Sequence, residues 1–139
     1  MRRRAALVGG IMTALALVVL LIVLLSPAAT PNTASAPTPS PRDPESGLVL
    51  VEVESLPVQA RQTISLIERG GPYPYAKDGA VFGNRERRLP RRPNGFYREY
   101  TVPSPGEDDR GPRRIVTGDH DRQFFYTGDH YASFVRVRQ

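Results

Sequence analysis

The 139-residue chain lacks cysteine altogether and contains only two histidines and a single lysine, Lys77. Without cysteine the chain can form neither a disulfide framework nor a thiolate metal site. A small exported domain of this kind must rely on its hydrophobic core alone, since disulfides are what usually reinforce such domains.

The part of the chain expected to fold also lacks a strong positive charge, although the formal net charge of the whole chain is +5. Three of the arginines, Arg2–Arg4, open the chain, and without them the balance is only mildly positive. A basic stripe that coats nucleic acid non-specifically is therefore a poor description of the folded part. The positions of particular arginines carry more information than their number.

The segment from Ala5 to Leu25 contains no charged residue and follows Arg2–Arg4 directly. A positive start and an apolar run are typical of an export signal, and this run is also long enough to span a bilayer. Small residues at 26–28 and 34–36 offer cleavage sites. We predict a signal peptide or an uncleaved signal anchor over residues 1–26, with the rest of the chain outside the membrane in both cases.

The following stretch, residues 27–46, is rich in Pro, Ala, Ser and Thr and has almost no large apolar side chains. Such a composition cannot bury enough surface to fold, so it predicts a semi-extended linker. The remaining residues, 47–139, number roughly 90, which is enough for one small domain and too few for two.

Within this domain the pattern predicts one helix followed by strands. Residues 48–53 have strand propensity, and a helix is expected over 57–69, where Ala60, Ile64 and Ile67 recur at helical spacing. Turn signals separate five further strand-like runs, at Ala80–Phe82, Phe96–Val102, Arg113–Thr117, Gln123–Thr127 and Ala132–Val137. This order predicts an α+β fold in which one N-terminal helix packs on an antiparallel sheet of about five strands.

Both histidines lie in the same tetrapeptide, Thr-Gly-Asp-His, which occurs at 117–120 and at 127–130. The first copy lies between two strand-like runs and reads as a hairpin turn. The second leads into the last strand. The residues alone leave both His120 and His130 open as catalytic groups, and a lone surface histidine is usually only solvated.

An acidic residue, Glu99, lies inside an apolar and aromatic strand. Strand alternation places it on one face with Tyr97 and Thr101. A solvated carboxylate is the ordinary interpretation of Glu99, and surface charge is the ordinary interpretation of Arg110 and Arg114. An acid, arginines and a histidine on neighbouring strands nevertheless suit phosphoryl transfer within RNA. There the 2′-hydroxyl already adjoins the phosphate, and no metal is required.

Several segments together resemble the microbial guanyl-specific ribonucleases, the family of barnase, and most closely its shorter extracellular bacterial members. The resemblance runs from about Leu56 to the end of the sequence and preserves the order of the segments. The matching stretches are Gly-Gly-Pro-Tyr-Pro-Tyr at 70–75, Asp-Gly-Ala-Val-Phe-Gly-Asn-Arg-Glu at 78–86, Leu-Pro at 89–90, Gly-Phe-Tyr-Arg-Glu-Tyr-Thr-Val at 95–102, Arg-Gly at 110–111, Arg-Arg-Ile-Val at 113–116 and Tyr-Thr-Gly-Asp-His-Tyr at 126–131.

The resemblance implies a catalytic role for four residues and a substrate-binding role for a fifth, Tyr131. Glu99 is the general base toward the 2′-hydroxyl, and His130 is the general acid toward the leaving 5′-oxygen. Arg110 and Arg114 hold the phosphate, and Tyr131 donates a hydrogen bond to it. The expected product is a 2′,3′-cyclic phosphate, which is then hydrolysed. His120 falls where the family requires no particular residue.

The resemblance also implies a guanine site at Phe82–Glu86. Phe82 lies against the base, backbone N–H groups around Asn84 and Arg85 donate to O6, and Glu86 accepts from N1–H and the exocyclic amine. Stacking and contact with the Watson–Crick edge are the general way to read an unpaired base. Gly83 replaces a longer polar residue that is common there, so we expect a looser loop.

The predicted function is thus that of an exported guanyl-preferring endoribonuclease that needs no cofactor or metal. Its expected partner is single-stranded RNA, and the resemblance adds a cytoplasmic barstar-like inhibitor, which some family members have. We expect a monomer, either secreted or anchored at the outer face of the cell membrane. The alternatives are an exported RNA-binding domain without catalysis and a membrane-anchored surface domain for another protein.

Overall fold

The computed structural model describes residues 39–107 and 109–139. The predicted export segment, residues 1–26, and most of the predicted linker lie outside the described residues. Among the residues that are described, no helix is long and apolar enough to cross a membrane.

The described residues form one α-helix, α1 (Val58–Glu68), which follows Pro57 and ends before Gly70, where φ is +76°. Pro57 suits this start because its fixed φ fits the first turn and the missing N–H needs no partner there. The helix ends as the N–H of Gly70 donates to the carbonyl of Ile67, at 2.9 Å. Its buried side chains recur at helical spacing, as predicted, at Ala60, Thr63, Ile64 and Ile67.

The sheet has six strands rather than about five, in the spatial order β1-β6-β5-β4-β3-β2. Their bounds are β1 Leu50–Glu52, β2 Ala80–Val81, β3 Arg98–Thr101, β4 Arg114–Gly118, β5 Gln123–Thr127 and β6 Val135–Arg138, with a single 3-10 turn at Val53–Ser55 after β1. The α+β class is confirmed. The prediction of a purely antiparallel sheet is corrected at one edge, because β1 pairs with β6 in parallel.

This parallel pair joins segments from the two ends of the domain. No local turn signal in the sequence could therefore predict it. Leu50, Val51 and Glu52 align with Arg136, Val137 and Arg138. Exposed ion pairs such as Arg138 to Glu52, at 2.9 Å, contribute little. The backbone ladder is therefore the main tie between the ends of this cysteine-free domain.

Each face of the sheet covers its own apolar cluster. The helix side buries side chains from α1 together with Leu56, Tyr100, Val102, Ile115, Phe124 and Val137. The opposite side buries Leu89, Tyr97, Val116, Phe125 and Phe134 beneath the loops that follow β2 and β5. Strand alternation places Glu99 and Arg114 on this second face, away from the helix.

Candidate active site

The strand register brings the predicted base and the predicted phosphate-binding arginine together. Arg114 on β4 lies opposite Thr101 on β3 and Thr127 on β5. Glu99 is two residues from Thr101 along β3, and it pairs with Val116. Residues two apart on neighbouring strands share a face and are diagonal neighbours. The sheet therefore presents Glu99 and Arg114 side by side.

The side chain of Arg114 is buried, with 3% of the residue exposed. Its Nη1 donates to the carbonyl oxygens of Arg110, Gly111 and Arg113, at 3.2, 2.7 and 2.7 Å. Its Nε has no hydrogen-bond partner within the described part of the chain. An unpaired buried donor costs about 1–3 kcal/mol, so the loop before β4 holds a guanidinium that still has a donor to offer an anion.

The second predicted arginine, Arg110, is fixed against β3. Its Nε and Nη2 both donate to the hydroxyl oxygen of Thr101, at 2.9 and 2.7 Å. Thr101 is almost fully buried. The sequence analysis placed Thr101 on the same strand face as Glu99. It did not identify Thr101 as the residue that orients Arg110.

Tyr131 links the base to the arginine. Its hydroxyl donates to Oε2 of Glu99 at 2.5 Å, and its ring centroid lies 5.9 Å from the guanidinium carbon of Arg114. Burial and the hydrogen bond to Glu99 raise the pKa of Tyr131 to about 12, while Arg114 opposes this shift. The phenol therefore remains a proton donor at neutral pH.

His130 lies in the loop between β5 and β6 and is exposed to solvent. Its backbone N–H donates to the carbonyl of Pro112 at 3.1 Å, which ties this loop to the one that holds Arg114. Both His130 and Tyr131 adopt left-handed backbone conformations, with φ values of +57° and +69°. Such conformations are uncommon outside glycine and persist only when neighbouring contacts enforce them.

Asp129 supplies those contacts, and the sequence analysis did not identify it. Its carboxylate accepts hydrogen bonds from the N–H and hydroxyl of Ser133, at 2.9 and 2.5 Å, and from the hydroxyl of Thr127 at 2.9 Å. The bonds from Ser133 lower the pKa of Asp129 to about 2. The spacing Thr-x-Asp-x-x-x-Ser was the available signal, because short polar side chains bond locally to the backbone.

The predicted guanine loop is built around Asn84, which has a φ of +45°. Its side chain accepts from the N–H of Leu89 at 3.0 Å and donates to the carbonyl of Leu89 at 2.8 Å. The backbone N–H groups of Asn84, Arg85 and Glu86 have no acceptor among residues 39–107 and 109–139. The side chain of Asn84 thus shapes the loop and leaves these three backbone donors available to a ligand.

Phe82 begins this loop and stacks on Tyr131, with ring centroids 5.2 Å apart and planes 28° apart. An open cleft of about 590 Å³ runs from the loop to the predicted base. Its lining comprises Lys77, Val81, Phe82, Gly83, Asn84, Arg85, Glu86, Asn94, Glu99 and Tyr131. Lys77 and Asn94 were not predicted as part of the site.

His120 lies apart from this group, in the turn between β4 and β5. Its side chain is 91% exposed, and Nδ1 is 3.6 Å from the carboxylate of Asp119. Arg114 begins β4 and His120 follows its other end. In the part of the chain that the structure describes, no cluster of three or more His, Cys, Asp or Glu side chains could hold a metal ion.

Comparison with known proteins gives a consistent result. A family model described as ribonuclease matches residues 40–138. The chain is 55% identical over 89 residues to the guanyl-specific ribonuclease St of Saccharopolyspora erythraea, covering 64% of this chain and 87% of that protein. It is 55% identical over 83 residues to the guanyl-specific ribonuclease Sa3 of Kitasatospora aureofaciens, where it covers 60% of this chain and 59% of the relative.

A solved structure of ribonuclease Sa2 in complex with mononucleotides is also similar. Its TM-score is 0.64 at 49% sequence identity, and the match covers 66% of this chain and 95% of that one. The residues that the family model matches, 40–138, include Glu99, the loop at 82–86 and His130.

Proposed function

We propose that this chain, which belongs to the family of guanyl-specific microbial ribonucleases, is a guanyl-preferring endoribonuclease that cuts single-stranded RNA by metal-independent transesterification. The observation that carries the mechanism is the shared cleft, in which the guanine loop adjoins Glu99 and Tyr131. A base-recognition loop beside a carboxylate, with Arg114 on the same sheet face, suits attack by the ribose of the recognised nucleotide on its own phosphate.

In the first step Glu99 takes the proton of the 2′-hydroxyl as the 2′-oxygen bonds to phosphorus. The bond from phosphorus to the 5′-oxygen of the next nucleotide breaks, and His130 gives that oxygen its proton. Arg110 and Arg114 stabilise the charge on the phosphate oxygens. Tyr131 donates to Glu99 in the free enzyme and turns to the phosphate when the 2′-hydroxyl takes that place. Water then opens the 2′,3′-cyclic phosphate with the acid and base exchanged.

Guanine is read in the loop that follows β2. The base lies against Phe82, the open N–H groups near Asn84 and Arg85 donate to O6, and the carboxylate of Glu86 accepts from N1–H and the exocyclic amine. Gly83 leaves this recognition intact because the loop is braced by the side chain of Asn84 on Leu89.

The remaining proposals concern the setting of the enzyme. Residues 1–26 direct export as a signal peptide or signal anchor, residues 27–46 connect it to the ribonuclease domain at 47–139, and the end of this linker packs on the domain, where Glu45 pairs with Arg92. The enzyme is secreted or held at the outer face of the membrane, and it acts as a monomer. A barstar-like inhibitor protects the cytoplasm of the producing cell.

The test is cleavage of GpN dinucleotides by the full chain in excess chelator, with the matching deoxydinucleotide as control. We expect a guanosine 2′,3′-cyclic phosphate from the ribose substrate and no reaction of the DNA, which lacks the 2′-hydroxyl. Activity that disappears in chelator and returns with a divalent ion would contradict the mechanism. Binding of the dinucleotide without cleavage would instead favour a catalytically inactive RNA-binding domain.

Guanine preference has a separate test at Glu86. We expect Glu86→Gln to lower cleavage after guanosine far more than cleavage after adenosine, because the carboxylate matches two donors that only guanine presents. Sites built on such hydrogen bonds discriminate strongly, since a wrong base leaves polar groups unpaired. Equal losses on GpN and ApN dinucleotides would show that Glu86 does not read the base.

A further inference from the structure

We infer that the arginine-rich loop at residues 85–92, called the arginine loop below, binds RNA phosphates on the 5′ side of the recognised guanosine. This inference rests on the proposed ribonuclease function and extends its site beyond one nucleotide. The loop continues directly from the guanine loop and follows Glu86 along the chain. The partner that fits it is a single-stranded RNA longer than the dinucleotide that is cut.

Positive charge within the domain is concentrated in this loop. The arginine loop contains five arginines and one acidic residue, whereas the remainder of residues 39–139 contains eleven basic and thirteen acidic residues. Outside the loop these residues therefore sum to a small net negative charge. A local excess of arginine beside a nucleotide-binding cleft attracts a polyanion and guides it to that cleft.

The backbone of the loop is held firmly while its arginines face solvent. Leu89, in the middle, is only 3% exposed and packs in the second apolar cluster. The side chain of Asn84 forms hydrogen bonds with both the backbone N–H and the backbone carbonyl of Leu89. The hydroxyl of Tyr97 donates to the carbonyl of Pro90 at 2.8 Å. A loop fixed before binding loses little entropy when it takes up a ligand.

The arginines of the loop fall into different classes. Arg92 forms an ion pair with Glu45 and lies over the ring of Phe96, with its guanidinium carbon 5.4 Å from the centroid. Arg85 lines the cleft itself. The other three are exposed, and none makes an ion pair within the described residues; they are Arg87, Arg88 and Arg91.

The order of the strands indicates which side of the substrate the loop meets. The arginine loop connects β2 to β3, and β2 is the edge of the sheet. His130 follows β5, which is separated from that edge by β3 and β4. The nucleotide 3′ of the guanosine leaves past His130, since His130 protonates its 5′-oxygen. The strand on the 5′ side therefore runs toward the edge and the arginine loop.

The ordinary alternative is that these arginines are only solvated surface groups, and a paired variant set separates the two cases. Arg88→Gln with Arg91→Gln removes two charges from the loop. Arg61→Gln with Arg69→Gln removes two exposed charges from α1 and its end, on the opposite face of the sheet. Neither pair belongs to the catalytic or guanine-binding groups.

The experiment measures kcat and KM on three substrates that each contain one guanosine: GpC, GpC with a uridine tract added 5′, and GpC with the same tract added 3′. Salt is varied from about 50 to 200 mM, a range in which phosphate contacts weaken strongly. The wild type should cut the 5′-extended substrate best at low salt. The loop variant should raise KM for that substrate about threefold to tenfold, because each exposed pair contributes little.

For the 5′-extended substrate, the slope of log KM against log salt should be lower by about 1.4 in the loop variant than in the wild type. This is the change expected when two phosphate contacts to a single strand are lost. The loop variant should cut unextended GpC as the wild type does. The α1 variant should match the wild type on all three substrates. The inference is overturned if both variants lose activity equally, if only the 3′-extended substrate is affected, or if the loop variant behaves as wild type, the result expected if the loop serves a protein partner. Failure of the wild type to cut GpC would instead refute the proposed function.

Discussion

The two copies of Thr-Gly-Asp-His are identical in sequence and nearly equal in φ at the histidine, yet their surroundings differ. His120 has a φ of +55° and His130 a φ of +57°. In the first copy the hydroxyl of Thr117 donates to Asp121, beyond the motif, at 2.5 Å. In the second, the hydroxyl of Thr127 donates to Asp129, inside the motif.

The difference lies in the residues that follow each copy. Asp121 and Arg122 complete a short hairpin that returns at once into β5. After the second copy, Ser133 binds Asp129 and Tyr131 reaches Glu99, so a longer loop is folded back over the sheet face. The comparison teaches that the residues around a tetrapeptide, rather than its own four residues, decide which hydrogen bonds it makes and in which kind of loop its histidine lies.

The largest expected difference between the copies is in turnover. General acid catalysis typically contributes about 10²–10⁴-fold, so His130→Ala should lower kcat on a GpN dinucleotide by about that factor. His120→Ala should stay within a few-fold. The two variants remove the same side chain from residues with nearly the same φ, so each is the control for the other.

The pH profile of kcat/KM sharpens this prediction. It should be bell-shaped, since Glu99 must be ionised and His130 protonated in the first step. The basic limb should persist in His120→Ala and vanish in His130→Ala. Loss of activity in His120→Ala with retention in His130→Ala would mean that the catalytic copy has been misidentified, together with the site built on it.

A smaller difference in kcat is expected when the aspartates of the two copies, Asp129 and Asp119, are replaced. Asp129→Asn removes the charge that fixes the loop of His130 and Tyr131, and a slight misplacement of catalytic groups is costly, so we expect kcat to fall by roughly tenfold. KM should change little because the guanine loop is untouched. Asp119→Asn should leave both constants near wild type. A matching fall for Asp119→Asn would show that charge, not loop position, is responsible.

The smallest expected effect is on acid stability. Hydrogen bonds from Ser133 lower the pKa of Asp129 from its ordinary value to about 2 in the folded state. Such a carboxylate contributes stability above its unfolded pKa, and that stability is lost as the pH falls through the folded value. The Tm difference between wild type and Asp129→Asn should therefore shrink as the pH is lowered from about 5 toward 2. The carboxylate is exposed, so the difference is small throughout.

A Tm difference that stayed constant or grew over this acid range would show that the hydrogen bonds of Asp129 do not favour its ionised form. Asp119→Asn is again the matched control. It should show no such narrowing, because Ser133 and Thr127 bond only to the aspartate of the second copy.

The sequence predicted the parts of the molecule that depend on neighbours along the chain. The helix over 57–69 was predicted to within a residue of α1, because its apolar spacing and its flanking Pro57 and Gly70 are local signals. The hairpin turn predicted in the first tetrapeptide was likewise confirmed, since Asp119 and His120 lie between β4 and β5.

What the sequence could not supply depends on contacts between distant segments. The parallel pairing of β1 with β6 joins residues more than eighty positions apart, and alternation is the same for either direction of pairing. The hydrogen bonds between Asn84 and Leu89 and the role of Asp129 were not predicted from the sequence, for a related reason. Polar side chains that bond within a loop leave no periodic pattern, and the one local signal, the spacing from Thr127 to Ser133, was not recognised in the sequence.

The pairing of β1 with β6 also has a consequence during synthesis of the chain. β6 follows every other strand in the sequence, and it is the strand beside which β1 lies. His130 is made only shortly before it. The strand that pairs with β1 is therefore made last of the six, and the proposed base Glu99 and the proposed acid His130 can come together only late in the synthesis of the domain.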